Sequence, residues 1–133
     1  MITLITPTSS QPRFHKRAIA LHATGKSLKV FFFKRSYYNV NKFPDHINAE
    51  ELFKIDDGKY LKRVFKFILS IFRVRKHRLE SKSNVCYSFS IDCALISILA
   101  GFKELIYEIG DIRSINFLSV ALEKFILNRA KVV

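Results

Sequence analysis

Glycine, proline and cysteine are scarce here: 133 residues hold four glycines, three prolines, two cysteines and no tryptophan. Cys86 and Cys93 alone cannot build a disulfide framework, so a reducing compartment is expected. No Gly-x-Gly-x-x-Gly follows the first apolar run, so a dinucleotide site has no support. Thr24-Gly25-Lys26-Ser27 looks like the end of a phosphate loop, but Ala20 stands where the upstream glycine is needed. It also precedes an apolar, strand-like run instead of a helix. Acid is scarce too. The first carboxylate is Asp45, and 23 Lys and Arg face 11 Asp and Glu, giving a formal charge of +12.

Long apolar runs are missing. Cys93–Phe102 spans ten uncharged residues, about half of what a membrane-crossing helix needs. No basic segment precedes the first apolar residues, so no secretory signal is expected. The acid-poor start with Arg and Ser fits a transit peptide, but Met1–Thr6 reads as a buried strand. A cytoplasmic chain is the expectation. His15 and His22 lie two turns apart on one helix, too far to share a metal, and the sequence displays no metal-ligand cluster and no cofactor motif.

What is present is an apolar fraction of 49% and a charged fraction of 26%, the composition of a globular domain. Short apolar runs alternate with segments of helical period. Ile2–Ile5 reads as a strand, and Pro12 opens a helix that Gly25 closes as a C′ residue. Leu28–Phe33 is apolar on both faces towards its end, as a central parallel strand should be. Residues 34–49 read as a polar loop, Glu51–Ile55 as a weak strand, and Asp56-Asp57-Gly58 as a turn. A long helix runs from Tyr60 to about Leu79. Leu61, Val64, Phe65, Ile68, Ile71 and Phe72 form its apolar stripe. Val85–Phe89 is a strand, Ser90 an N-cap, Ile91–Ala100 a helix stopped by Gly101, and Glu104–Ile109 a strand. The loop Gly110–Ser114 leads to a last helix, and Ala130–Val133 reads as the start of another strand. The order predicts a single α/β domain over 1–133, a Rossmann-like, mostly parallel sheet with helices on both faces.

In such sheets ligands sit beyond the carboxyl ends of the strands. That rule selects four segments, Thr6–Arg13, Lys34–Tyr38, Ser88–Asp92 and Glu108–Arg113, and within them Thr6, Ser9, Ser10 and Arg13 after the first strand, Ser88 and Ser90 around the fourth, and Arg113 after the fifth. Hydroxyls, basic groups and helix N-termini there suit a phosphate or carboxylate. Asp111, two residues past an apolar strand, suits a general base on an acceptor hydroxyl; as a structural residue it would hold the loop by pairing with Arg113. Glu108, inside the strand, reads as a paired structural group. Charge is concentrated elsewhere. Residues 1–83 hold 18 basic and six acidic side chains, whereas 84–133 hold five of each. Lys59, Lys62, Arg63, Lys66, Arg73, Arg75, Lys76 and Arg78 crowd the long helix with no acid among them. This is either a solvated face or one that meets an anionic membrane surface. Nucleic acid would use the same charge, but no nucleic-acid module is recognisable.

Thr6-Pro7, the Pro12-Arg13 helix with Lys16-Arg17-Ala18 and Ala20-Leu21, Gly25 and Leu28–Phe33 form one set of signatures. Leu105–Arg113, Leu122-Glu123-Lys124 and Ala130–Val133 form another. Together they resemble the N-terminal, acceptor-side domain of family 4 glycosyltransferases with the two-domain GT-B fold. The resemblance implies an acceptor site for a glycan or glycolipid of a polysaccharide or glycolipid pathway. It also implies metal-independent transfer from a nucleotide sugar held by a C-terminal domain that this sequence lacks. It carries the catalytic carboxylate onto Asp111 and the loop near the donor phosphates onto Thr6–Gln11, where Thr8-Ser9-Ser10-Gln11 replaces a glycine-rich stretch. The basic, aromatic helix fits docking at the inner membrane surface. A truncated chain of this kind is expected to be inactive alone, working with a separate second half or surviving as a gene remnant. The alternative is a stand-alone α/β module that binds a phosphorylated ligand or an anionic membrane.

Overall fold

The computed structural model describes residues 1–35, 42–55, 59–109 and 117–132. Ten elements follow in order: β1 (Ile2–Thr6), α1 (Pro12–His22), β2 (Leu28–Arg35), β3 (Asn48–Ile55), α2 (Tyr60–Ser81), β4 (Val85–Phe89), α3 (Ser90–Leu99), β5 (Glu104–Glu108), α4 (Phe117–Leu127) and β6 (Ala130–Val132). All pairings are parallel, in the order β3-β2-β1-β4-β5-β6. This is the strand order of the doubly wound nucleotide-binding sheet. The Rossmann-like α/β architecture expected from the alternation is the one observed.

The two central strands explain the centre of the sheet. β1 and β4 are buried from their second residue onwards, because helices or loops cover both faces. One face carries Ile5, Phe31, Phe33, Cys86 and Leu105, packed under α2, α3 and α4 through Val74, Ala94, Ile96 and Ile126. The other carries Leu4, Val30, Tyr87 and Phe89, closed by Phe14 and Ala18 of α1 with Phe43 and Ile47 of the loop. Small residues let α3 approach the sheet. The hydroxyl of Ser97 lies 2.7 Å from that of Ser88 and 3.0 Å from the Cys86 thiol, inside the core. Both cysteines are free and buried, and burial pushes the Cys86 thiol up to about 11.

Helix ends follow local chemistry. Gly101, at φ 88°, closes α3 with Gly101 N–H donating to Ile98 O and Phe102 N–H to Ser97 O, a Schellman pair. At α1 the cap is Ala23, and Gly25, at φ 79°, comes two residues later instead of directly after it. Ser90 departs from the simple N-cap reading. The helix bounds put Phe89 at the cap position, and Ser90 is the first helical residue with a left-handed φ of 69°. Its hydroxyl still accepts the Cys93 N–H at 3.5 Å, a long version of the expected capping bond.

Two expectations are corrected. The polar loop assigned to 34–49 is shorter, because β2 runs to Arg35 and β3 already starts at Asn48. Tertiary pairing overrides weak local preference there. Asn48, Ala49 and Glu50 pair with Lys29, Val30 and Phe31, and Glu50 is bridged by Lys29 at 2.8 Å and by Arg73. Burial alone would raise the Glu50 pKa; hydrogen bonds and charge from Lys29 and Arg73 overcome it and lower it. The second correction concerns α2. Its inward face is Phe67, Ser70, Ile71 and Val74; of the stripe expected to pack Ile71 does so, whereas its other five members are turned outward. Leu61, Phe65 and Phe72 are 85%, 63% and 64% exposed, with Val64 and Ile68 exposed beside them.

Candidate functional site

The sheet changes winding direction between β1 and β4, and the segments leaving both strands there form the crevice typical of ligand sites. The first segment is a tight hydroxyl turn. Thr6 Oγ1 donates to Thr8 O at 3.0 Å, Thr8 Oγ1 accepts from Ser10 N–H at 3.2 Å, and the Thr8 and Ser10 hydroxyls lie 3.0 Å apart. His15 reaches back from α1, donating from Nε2 to Ser9 O at 2.5 Å, while its ring stacks on Phe43. Thr6, Thr8 and Ser9 are buried, so backbone and the half-buried Ser10 form the surface of this turn. Pro12 occupies the first turn of α1, where a missing N–H costs nothing. Arg13 stands exposed at the helix start, its guanidinium 4.9 Å from the Phe14 ring centroid and 5.8 Å from that of Phe89.

From β4 the crevice receives Ser90 and Asp92 at the start of α3. Ser88 is turned the other way, into the core with Ser97. Asp111 and Arg113 lie outside the described residues. Glu108 is held as a structural group: Tyr87 Oη donates to its Oε2 at 2.5 Å, and Arg17 bridges the same oxygen at 3.1 Å. Burial, the hydrogen bond to Glu108 and its negative charge push the Tyr87 phenol well above the ordinary tyrosine range, while Arg17 opposes them.

Next to the crevice, between the first turns of α2 and the start of α3, lies a cavity of about 320 Å³. Pro7, Phe33, Ile55 and Phe67 give it apolar walls, and Arg35, Arg63, Lys66 and Asp92 give it charge. Arg35 falls in the strand-end segment Lys34–Tyr38 that the rule for parallel sheets already selects, and the structure brings its side chain to the cavity.

The eight basic residues of the α2 segment divide into three sets. Three are used within the fold. Lys66 Nζ donates to Lys54 O at 2.6 Å, Arg73 Nη1 to Leu52 O at 3.1 Å, and Arg78 Nε to Ala100 O at 2.8 Å. Leu52 and Lys54 lie two apart on the edge strand β3, where one extra residue sits between the Glu51 and Lys54 pairings. Two basic side chains thus satisfy carbonyls on an open sheet edge. Lys76 pairs loosely with Glu80 at 3.9 Å. Lys59, Lys62, Arg63 and Arg75 are exposed and bridge no carboxylate among the described residues; they flank the outward stripe of Leu61, Phe65 and Phe72.

A known structure shares this arrangement. The crystal structure of MurG from Acinetobacter baumannii superposes with a TM-score of 0.63 over 98% of this chain, at 14% identity. The chain spans 40% of the MurG chain. No family model matches the sequence, and no curated protein does. At that identity the likeness concerns the fold alone. No described helix is long and apolar enough to cross a membrane.

Proposed function

We propose that this chain is the acceptor-side part of a GT-B glycosyltransferase, working on a glycolipid or polysaccharide acceptor at a membrane surface. The observation that carries the proposal is the match of nearly the whole chain to the fold of MurG, a GT-B glycosyltransferase. A nucleotide-sugar donor would be held by a second domain, since the chain covers well under half of MurG, and alone it would transfer nothing. In this reading Asp111 is the base that takes the acceptor proton, with Arg113 beside it. The turn Thr6–Ser10, Arg13 and Ser90 face the phosphates or the acceptor. Family 4 membership and the sugar-transfer roles rest on the sequence resemblance.

The outward face of α2 supports the membrane part. An amphipathic helix that exposes aromatic and aliphatic side chains flanked by cations with no carboxylate partner among the described residues matches an interfacial anchor. Each Lys or Arg near an anionic bilayer adds about 1 kcal/mol. Flotation with vesicles of phosphatidylglycerol and phosphatidylethanolamine, compared with neutral vesicles, tests this. Anionic vesicles should carry the chain, and Lys62→Glu with Arg63→Glu, or Leu61→Ser with Phe65→Ser, should release it. Equal binding to neutral vesicles would remove the surface reading. For catalysis, the chain is joined to the donor-binding half of a GT-B enzyme. Asp111→Asn in the fusion should abolish sugar transfer while leaving vesicle binding unchanged, and unaltered transfer would remove Asp111 from the mechanism.

A further inference from the structure

The cavity beside α2 holds a feature that sugar transfer does not explain. Arg35 lines it from the end of β2, and its Nε is buried with no hydrogen-bond partner among the described residues. A buried guanidinium N–H without an acceptor is costly, and such an exception in a native protein calls for an explanation, a water, ion or ligand near the group among them. Around it stand two more cations, Arg63 and Lys66, and among the described residues one carboxylate, Asp92. The rest of the lining is apolar or aromatic, with Phe33, Phe67 and Tyr60 among it. Lys66 already donates to Lys54 O, which fixes its ammonium at the rim, and Arg63 bridges no carboxylate among the described residues.

We propose that this cavity is a binding site for a phosphate ester carrying an apolar chain. The phosphate oxygens accept from the guanidinium of Arg35, whose planar fork suits two oxygens at once. Arg63 neutralises the second charge. Phe33, Phe67 and Ile55 take the apolar chain, and Asp92 accepts a hydroxyl of the ligand if it has one. The volume suits a head group with a short stretch of chain, at the lower end of small-molecule sites. Tyr60, Arg63 and Val64, exposed in the first turns of α2, bring the cavity to the surface there. A phosphate whose chain remains in a bilayer, or a free one, would therefore reach Arg35 from the same side.

Octyl phosphate below its micellar concentration is the probe, titrated calorimetrically into the full chain beside octanol and inorganic phosphate. Octyl phosphate should bind saturably and octanol should not. Inorganic phosphate should bind much more weakly than the octyl ester; equal affinity would show that the apolar walls take no chain and would overturn the ester site. Arg35→Gln should weaken octyl phosphate roughly ten- to a hundred-fold, the loss expected for charged hydrogen bonds, while Lys26→Glu at the other end of the sheet should not. Arg63→Gln, on an exposed part of α2, serves if Arg35→Gln does not fold, and a loss of about tenfold is expected. Octanol binding as well as the phosphate, or unchanged affinity in the folded variant, would overturn the site. The proposal needs neither sugar transfer nor vesicle binding. A chain that ignores vesicles yet binds octyl phosphate keeps this site and loses the surface reading; one that floats but ignores the probe does the opposite.

Discussion

The guanidinium of Arg78 lies over Gly101, its Nη2 3.3 Å from where a β-carbon would stand, and its Nε donates to Ala100 O at 2.8 Å. Near its C-terminus, α2 thus closes over the end of α3. Gly101 is needed twice there, for its φ of 88° and for the space. Gly101→Ala should cost about 1–2 kcal/mol, mostly from the left-handed backbone, and lower the midpoint of urea unfolding. An unchanged midpoint would show that Arg78 and the turn relax freely.

Lys82 ends α2 in the left-handed region at φ 53°, where a side chain is disfavoured. Lys82→Gly should stabilise the chain by up to about 1 kcal/mol, visible as a higher melting temperature. A fall would mean that the lost backbone entropy outweighs the relieved strain.

Tyr87 donates to Glu108, and its phenol holds its proton beyond the ordinary range. In the unfolded chain it ionises near pH 10. Above that pH the unfolded state loses the proton first and binds fewer protons, so stability should fall as pH rises. Absorbance titration of the five tyrosines should show late ionisation that Tyr87→Phe reduces, the remainder belonging to Tyr107, whose phenol burial also pushes up. The variant should also flatten the loss of stability above pH 10.

Charge reversal on α2 should separate structure from surface. Arg73→Glu would place a carboxylate against Glu50 and uncover Leu52 O, costing roughly 1–2 kcal/mol. Lys62→Glu, exposed and unbridged, should stay within about 0.5 kcal/mol. Denaturant titration of both variants decides whether the helix charge divides this way. Equal losses would refute the division.

Much of the fold was legible because parallel strands buried on both faces read as apolar runs, as in Leu28–Phe33 and Val85–Phe89. Gly101 marked its helix end through the one conformation it permits. The edge was harder. Asn48-Ala49-Glu50 has little strand preference, and only Lys29 and Arg73, remote in sequence, make Glu50 acceptable there. On α2, both possible stripes have helical spacing. The aromatic one was the obvious choice for the core, yet the shorter Ser70 and Val74 allow the approach to the sheet. At the site, sequence position found the turn after β1 and the start of α3. It did not distinguish Ser88, turned inward, from Ser90, and nothing local marked the unpaired Nε of Arg35.

The pairing of β1 with both β2 and β4 has a consequence for how the chain is made. Ile2 lies beside Leu28 on one side and Val85 on the other, and Thr3 meets the hydroxyl of Ser83 at 3.1 Å. A ribosome delivers β1, α1 and β2 early, and they can join at once. The opposite edge of β1 stays open until β4 has emerged, so a strand destined for the centre of the sheet waits with one edge unpaired through the synthesis of α2. Closing that long loop should set the folding rate. Until it closes, β1 is the segment most exposed to pairing with another chain.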